Sequence, residues 1–344
     1  MNADIDIDGA KKTIWCETSI QYRDFLLHER ADAFLCLVLP FAMRSGKSIV
    51  CEAPVSEGFL HNLNEVLIPL LCQHDKLLYP TQISATPDST QLNNGGAVAG
   101  GMSCGVDSMY TASLYQNPVY KDSKLTHLYC GNYLYGNSGK IHERAESVAL
   151  EMGLPLVRTG TNVNSEFRLP HIPTHFFKTM FGVFFLKKLF RSYYYSTAHD
   201  IGNINLNENG RKDTADLELL LLYTFSCDQL RIVTGGAKCD RVGKTRALVS
   251  FPVAWRHLNV CLNPHKKTNC GKCGKCVRTL LTLDMLGELD RFKNVFDIGT
   301  YRNTRLDSFV HMLGHKKSEY LREVYQHFLQ TERDLVLEAE RIRG

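Results

Sequence analysis

A short glycine-containing turn carries the residues best suited to chemistry in this chain. Residues 101–108 read Gly-Met-Ser-Cys-Gly-Val-Asp-Ser and follow a run of small apolar residues. A turn that leads from a strand into a helix presents free backbone N–H groups and the positive end of the helix dipole. Such a turn binds phosphate, and the hydroxyls of Ser103 and Ser108 can add donors. Asp107 repels a bare phosphate, so we expect it to hold Mg²⁺ or to fix the first turn of the helix.

Two other interpretations compete with this one. A Walker P-loop is the first, but its nearest match, at residues 242–245, has Lys238 in place of the leading glycine and is discounted. The second is that residues 101–108 form a glycine-rich connection that binds nothing. Taken by itself, the turn leaves this second interpretation open.

Four cysteines near residue 270 form another candidate site. Cys261, Cys270, Cys273 and Cys276 have the spacing Cys-x8-Cys-x2-Cys-x2-Cys. Four thiolates so close in sequence can surround one ion, and a tetrahedral set of four cysteine ligands is typical of structural zinc. An iron–sulfur cluster is the alternative, because soft thiolates suit both metals.

Together the two motifs resemble one family. In the 7-cyano-7-deazaguanine synthases, which are PP-loop ATP pyrophosphatases, a Ser-Gly-Gly-x-Asp-Ser turn near the start is joined by a Cys-x8-Cys-x2-Cys-x2-Cys zinc site near the end. Here Ser103, Gly105, Asp107 and Ser108 match the turn, and the four cysteines match the metal site. The resemblance covers about residues 95–285, which is more than half of the chain.

The resemblance implies an AMP-forming ligase with ATP, Mg²⁺ and Zn²⁺ as cofactors. A substrate carboxylate or amide oxygen would attack the α-phosphorus of ATP, pyrophosphate would leave, and ammonia or an amine would displace AMP. In the family the acid is 7-carboxy-7-deazaguanine. The nucleotide would contact a set of turn residues and one residue after the next strand, namely Ser103, Cys104, Gly105, Val106, Asp107, Ser108 and Gly131.

The resemblance also implies catalytic residues and one departure from the pattern. Asp107 and Ser108 would act with Lys244, which resembles a lysine near the triphosphate, and with Asp200, which follows a strand as an acid does in the family. A surface lysine and a solvated loop acid are the alternatives for these last two. Cys104 stands where the family has glycine, and a positive φ at that position would strain it.

Alternating strand and helix patterns over about residues 96–255 predict an α/β fold with a doubly wound parallel sheet. The resemblance implies the same architecture, that of the adenine nucleotide alpha hydrolases. Ligands of such sheets bind beyond the carboxyl ends of the strands. We therefore expect the turn at 102–108, Gly131-Asn132, residues 198–200 and Gly235-Gly236 on one rim.

The patterns divide the chain into four segments. We expect an N-terminal α+β module at 1–90, the ATP-binding domain at 91–260, the zinc knuckle with its helix at 261–290 and C-terminal helices at 291–344. The first segment is interpreted as a cap or dimerisation module rather than as a substrate-selecting one. The amphipathic C-terminal helices predict a packing surface or a homodimer contact.

Composition narrows the classes of partner. A net charge of +4 without a long basic run argues against a dedicated nucleic-acid binder. The acidic start lacks the apolar stretch of a signal peptide, and the apolar run near residues 180–190 is interrupted by lysines and too short to span a bilayer. Twelve cysteines, four of them clustered, fit a cytoplasmic metalloprotein. We expect a small-molecule carboxylate and ammonia or an amine as partners.

Two other functions stay open. A PP-loop RNA sulfurtransferase would need a persulfide-forming cysteine or an open cluster, together with a basic face for RNA. A degenerate PP-loop domain would bind nucleotide without turnover as a subunit of an assembly, and Cys104 is the feature that keeps this alternative open. Zinc favours the synthase-like interpretation, whereas iron with acid-labile sulfide favours sulfuration.

Overall fold

A computed structural model describes residues 1–132, 140–168, 170–204, 213–227, 229–263, 268–318 and 320–344. Helices and strands alternate through the middle of the chain, as the sequence predicts. The strands are β1 (Asn2–Ile7), β2 (Ala10–Thr18), β3 (Ile49–Val50), β4 (Val55–Ser56), β5 (Ile83–Ser84), β6 (Pro87–Asp88), β7 (Ala97–Gly101), β8 (His127–Gly131), β9 (Leu156–Thr161), β10 (Phe190–Ser196) and β11 (Arg231–Gly235).

Short 3-10 turns and one π-helical segment at residues 63–67 supplement the α-helices. The α-helices are α1 (Asp32–Ser45), α2 (Glu57–Asn62), α3 (Ile68–His74), α4 (Val106–Tyr115), α5 (Lys140–Met152), α6 (Val163–Glu166), α7 (His175–Phe185), α8 (Glu218–Phe225), α9 (Arg241–Leu248), α10 (Pro252–His257), α11 (Gly274–Met285), α12 (Ile298–Asn303), α13 (Arg305–Gly314), α14 (Arg322–Thr331) and α15 (Arg333–Arg343).

A seven-stranded sheet in the order β1-β2-β9-β8-β7-β10-β11 is the centre of the fold. Strands β7 to β11 are parallel, whereas β2 pairs antiparallel with β9 and β1 antiparallel with β2. The predicted α/β class with a mostly parallel sheet is confirmed. Since β8 lies on one side of β7 and β10 on the other, the strand order reverses at β7. Such a reversal opens a crevice beyond the carboxyl end of the strand.

Both faces of the sheet are buried. Ala97 and Ala99 of β7 belong to one hydrophobic core, and Val98 between them belongs to the other. The same alternation holds over residues 193–195 of β10. Because successive side chains of a strand point to opposite faces, each face needs its own layer of helices. This two-sided burial explains the continuous apolar character of the strands and fixes β7 at the middle of the molecule.

The first ninety residues are joined to this sheet. The β1–β2 hairpin extends it, with Cys16 of β2 opposite Thr161 of β9, and α1 packs against α7. Hydrophobic residues of α1 lie in the same core as Ala97 and Ala99. The sequence predicted an N-terminal α+β module but not the place of its first hairpin at the edge of the central sheet. The division into four segments stays a prediction.

A buried ion pair anchors α1 to the chain that follows α7. Lys187 donates to Asp32 Oδ2 at 3.1 Å and to the Ser56 hydroxyl at 2.8 Å, and the N–H of Ser56 donates to Asp32 Oδ1 at 2.8 Å. Asp32 has no exposed surface and Lys187 is 3% exposed. A buried charge is tolerated only when it is paired and hydrogen-bonded. The network therefore fixes the N-terminal region against the sheet.

The C-terminal helices form a third core on the outer side of α11. Phe309 of α13, Phe328 of α14 and Val336 of α15 pack with Val277 and Leu281 of α11. These helices therefore pack on α11, which is one of the two roles expected for them. None of the helices described has the length and apolar composition that crossing a membrane requires.

Replacing Lys187 with methionine should destabilise the fold by about 3–5 kcal/mol, because it leaves the Asp32 carboxylate buried and unpaired. The matched control is Lys188→Met, since Lys188 pairs with a more exposed partner, Glu29, at 2.7 Å. That surface pair should contribute less than about 1 kcal/mol. Urea denaturation of both variants measures the difference. Equal losses in the two variants would contradict the anchoring role of the buried pair.

Candidate functional site

The turn between β7 and α4 lies at the reversal point of the sheet. Gly105 is the N-cap of α4, and the first N–H groups of a helix have no intrahelical acceptor. The hydroxyl of Ser108 donates to the carbonyl oxygen of Gly105 at 3.1 Å and lies 3.2 Å from that of Ser103. Ser103, Val106 and Asp107 line a cavity in front of the turn. The predicted phosphate-binding residues are thus gathered around a free helix N-terminus.

Cys104 adopts the conformation that the sequence marked as costly. Its φ is +62°, its side chain is fully buried, and its carbonyl oxygen accepts the N–H of Asn259 at 2.7 Å. A left-handed backbone explains why glycine suits this position. Burial raises the pKa of the Cys104 thiol to about 12. The thiol is neutral and enclosed, which does not favour a role as a persulfide-forming nucleophile.

Asp107 is held by two cations from α9. Its Oδ2 accepts from Arg241 at 2.9 Å and its Oδ1 from Lys244 at 3.2 Å. Lys244 is fully buried and also donates to the carbonyl oxygen of Thr197 at 2.7 Å. Lys244 is the fourth residue of α9. The structure places Lys244 behind Asp107, where it positions the carboxylate, and brings Arg241 to the cavity wall instead.

Four basic side chains surround the cavity in front of the turn. This cavity, of about 120 Å³, is lined by Arg144, Arg241, Lys275 and Arg278 together with Asp107. Arg144 comes from α5, Arg241 from α9, and the other two from α11. Asp107 is the acid that faces them among the residues lining this cavity. Such an excess of positive charge in a confined space favours a multivalent anion.

The basic residues are close enough to repel one another. Burial lowers the pKa of Arg278 to about 10, and the charge of Arg241 adds to this effect. Burial and the same two guanidinium groups lower the pKa of Lys275. The Tyr320 ring lies 4.3 Å from the Arg278 guanidinium and 5.5 Å from that of Arg241. Within the described chain, Nε of Arg241 is buried without a hydrogen-bond partner. An anion would supply the missing acceptor.

A larger cavity of about 370 Å³ adjoins the first beyond the strand ends. His175 is hydrogen-bonded to Asp213 at 2.9 Å through Nε2 and to the Tyr195 hydroxyl at 3.0 Å through Nδ1. Burial alone would raise the pKa of Asp213, but the hydrogen bonds from His175 and the Ala215 N–H lower it. The wall also carries Tyr129, Tyr193, Ser196 and Glu218, beside apolar residues such as Ile141. A cavity with aromatic walls and a few polar groups suits a small flat molecule.

The four predicted metal ligands come together. The Sγ atoms of Cys261, Cys270, Cys273 and Cys276 all lie within 4.8 Å of one another, so they form a cluster that could bind a metal such as zinc. Burial alone would raise the pKa of Cys270, but backbone N–H groups and neighbouring thiols lower it to about 6. A ready thiolate is what a zinc ion requires.

Asn269 organises the cluster, and no sequence pattern pointed to it. Its Oδ1 accepts the N–H groups of Val260 at 2.8 Å and Cys261 at 3.1 Å. Its Nδ2 donates to the carbonyl oxygens of Leu258 and Val295, both at 2.9 Å. The buried side-chain amide of Asn269 therefore links three parts of the chain. These are the residues that lead to Cys261, the knuckle and the segment after α11.

The cysteine knuckle also positions the basic residues of α11. Cys273 is the N-cap of α11, and Cys276 lies in its first turn. Lys275 and Arg278 are three residues apart on the same helix and so share a face, which lines both cavities. The cysteine cluster and the basic cavity are consequently joined, because Cys273 and Cys276 lie at the start of the helix that carries Lys275 and Arg278.

Other predicted residues fall in different places. Gly131 lines the larger cavity. Asp200 is the N-cap of a 3-10 turn, accepts a hydrogen bond from the Asn203 side chain, and is not among the residues that line either cavity. The sequence missed Arg144, Lys275 and Arg278, although the i, i+3 basic pair of α11 was a signal for the last two.

No protein-family model, curated protein or solved structure matches this chain.

Replacing Cys104 with glycine should leave the free energy of unfolding within about 1 kcal/mol of the wild type. Release of the left-handed strain, about 1–2 kcal/mol, offsets the loss of the buried thiol. Cys104→Val is the comparison, since a β-branched residue resists this conformation and should destabilise the protein more. Urea denaturation decides between them, and a glycine variant less stable than the valine variant would count against the strain argument.

Replacing Cys273 with serine should abolish stoichiometric metal binding, because it removes one of the four thiolates. We expect elemental analysis to find about one zinc ion per chain in the wild type and in the control Cys51→Ser, whose thiol lies outside the cluster. Thermal stability should fall only in Cys273→Ser. Iron with acid-labile sulfide in the wild type would contradict the zinc assignment.

Proposed function

We propose that this chain is an AMP-forming, ATP-dependent ligase of the PP-loop kind, similar to the 7-cyano-7-deazaguanine synthases. It would adenylate the carboxylate or amide oxygen of a small molecule, and ammonia or an amine would then displace AMP. ATP and Mg²⁺ would bind at the turn, and Zn²⁺ in the cysteine cluster. The observation that carries the proposal is the group of four basic side chains that faces a free helix N-terminus.

Charge is the first argument for a triphosphate. Arg144, Arg241, Lys275 and Arg278 converge on a space with one carboxylate, and two of them have a pKa lowered by crowding and burial. A triphosphate neutralises this charge and offers pairs of oxygens that a planar guanidinium group can bind in bidentate fashion. Asp107 keeps oxygen lone pairs free beside its contacts with Arg241 and Lys244, so it can also take part in holding Mg²⁺.

The position of the larger cavity also supports the proposed ligase function. It shares Ser103, Asp107 and Arg241 with the basic cavity, so a molecule in it would lie next to the phosphates. Its tyrosines suit an aromatic acid such as 7-carboxy-7-deazaguanine. Attack on the α-phosphorus needs alignment and charge neutralisation more than it needs covalent chemistry from the protein. The arrangement of two adjoining cavities suits that requirement.

The test is AMP formation from α-labelled ATP with Mg²⁺, ammonium and 7-carboxy-7-deazaguanine, and then with a small-molecule cell extract. We expect substrate-dependent AMP from the wild type. Lys275→Gln should lower its rate by about 100-fold, because one charge that faces the reacting phosphates is lost. The free variant should be no less stable than the wild type, because the substitution removes repulsion with Arg241 and Arg278.

The matched control is Lys272→Gln, since Lys272 belongs to the same knuckle but is exposed and does not line the cavities. It should keep the wild-type rate. ATP binding without AMP under any condition would favour the non-catalytic nucleotide-binding subunit. Equal effects of the two lysine substitutions would contradict the role assigned to the basic cavity.

A further inference from the structure

Glu218 is a buried acid at the wall of the larger cavity, and its carboxylate lacks a hydrogen-bond partner among the residues described. It is the first residue of α8, lines that cavity and is 1% exposed. Neither carboxylate oxygen has a hydrogen-bond partner within this part of the chain. Leaving a buried carboxylate without donors is costly, and buried polar groups are normally satisfied. This acid is therefore expected where a ligand supplies the donors.

The donors nearest to Glu218 are shared with other groups. The Thr197 hydroxyl donates to the carbonyl oxygen of His199 at 2.8 Å, and Lys244 donates to Asp107 and to the carbonyl oxygen of Thr197. Burial raises the pKa of Glu218 to about 7, although Thr197 and the charge of Lys244 act to lower it. A carboxyl with this pKa exchanges its proton readily near neutrality.

We propose that Glu218 binds ammonium or a small primary amine and accepts its proton, which makes it the nucleophile site of the ligase. The catalytic part of this inference rests on the proposed function. Two features select the ligand. The carboxylate oxygens are enclosed, so only a small donor can reach them. Glu218 also lies within electrostatic range of Asp107 and Lys244, beside the place where an acyl-adenylate would form.

Ammonium is the co-reactant in amide formation. Ammonium gives one proton to the Glu218 carboxylate and becomes ammonia. The nitrogen lone pair of ammonia attacks the acyl carbon of the adenylate, and a C–N bond forms. The bond between the acyl carbon and the phosphate oxygen of AMP then breaks. AMP leaves with that electron pair, and a second proton passes from the nitrogen to the phosphate of AMP. Glu218 returns its proton to water before the next turnover.

The binding test needs no turnover. Thermal unfolding of the zinc-loaded full chain is compared in ammonium chloride and in sodium chloride of equal ionic strength. Ammonium should raise the Tm of the wild type by roughly 2 °C at ten times its dissociation constant. Glu218→Gln should lose this shift. Asp216→Asn is the matched control, because Asp216 is a buried acid of the preceding turn that faces His199 at 3.8 Å and should keep the shift.

The same variants then separate the two steps of the reaction. Glu218→Gln should keep ATP–pyrophosphate exchange with 7-carboxy-7-deazaguanine but lose amide formation by about 100-fold. Equal loss of exchange and amide formation would overturn the inference and leave the ligase intact. A wild type that shows the ammonium shift but no exchange would overturn the ligase and keep the ammonium site. No ammonium shift in the wild type, or the same shift in Glu218→Gln, would overturn the site.

Discussion

The candidate site depends on the ion pairs that the carboxylate of Asp107 makes. It joins α4 to α9 through Arg241 and Lys244, and Lys244 continues to the end of β10 at Thr197. Three elements that meet at the reversal point of the sheet are thereby fixed to one another. Because this one acid balances only part of the basic cavity, Lys275 and Arg278 remain under mutual repulsion. That imbalance is the physical reason to place an anion there.

The cysteine cluster explains how such an unfavourable arrangement can persist. Repulsion among buried cations would push α11 away from the turn, but the start of this helix carries Cys273 and Cys276. Asn269 fixes the same region with four hydrogen bonds to the backbone. The two motifs, far apart in the sequence, thus meet at one place, where a metal in the cysteine cluster would preorganise the basic residues that face the turn.

Sequence patterns were sufficient for the α/β class, for the turn after β7 and for the cysteine cluster, because periodicity and spacing are local signals. They were insufficient where tertiary contacts decide. The edge position of the β1–β2 hairpin, the inward location of Lys244 and the convergence of Arg144 with Arg278 depend on elements distant in the chain. Glu218 belongs to no sequence motif, and only its burial and its unpartnered oxygens set it apart.

The most direct measurement is a crystal structure of the zinc-loaded protein with Mg²⁺ and α,β-methylene ATP, which cannot release pyrophosphate. We expect triphosphate oxygens at the N-terminus of α4, in contact with Arg241, Lys275 and Arg278, and the α-phosphorus open toward the larger cavity. A nucleotide bound elsewhere, or phosphates that leave these three side chains without contacts, would contradict the proposed ATP site.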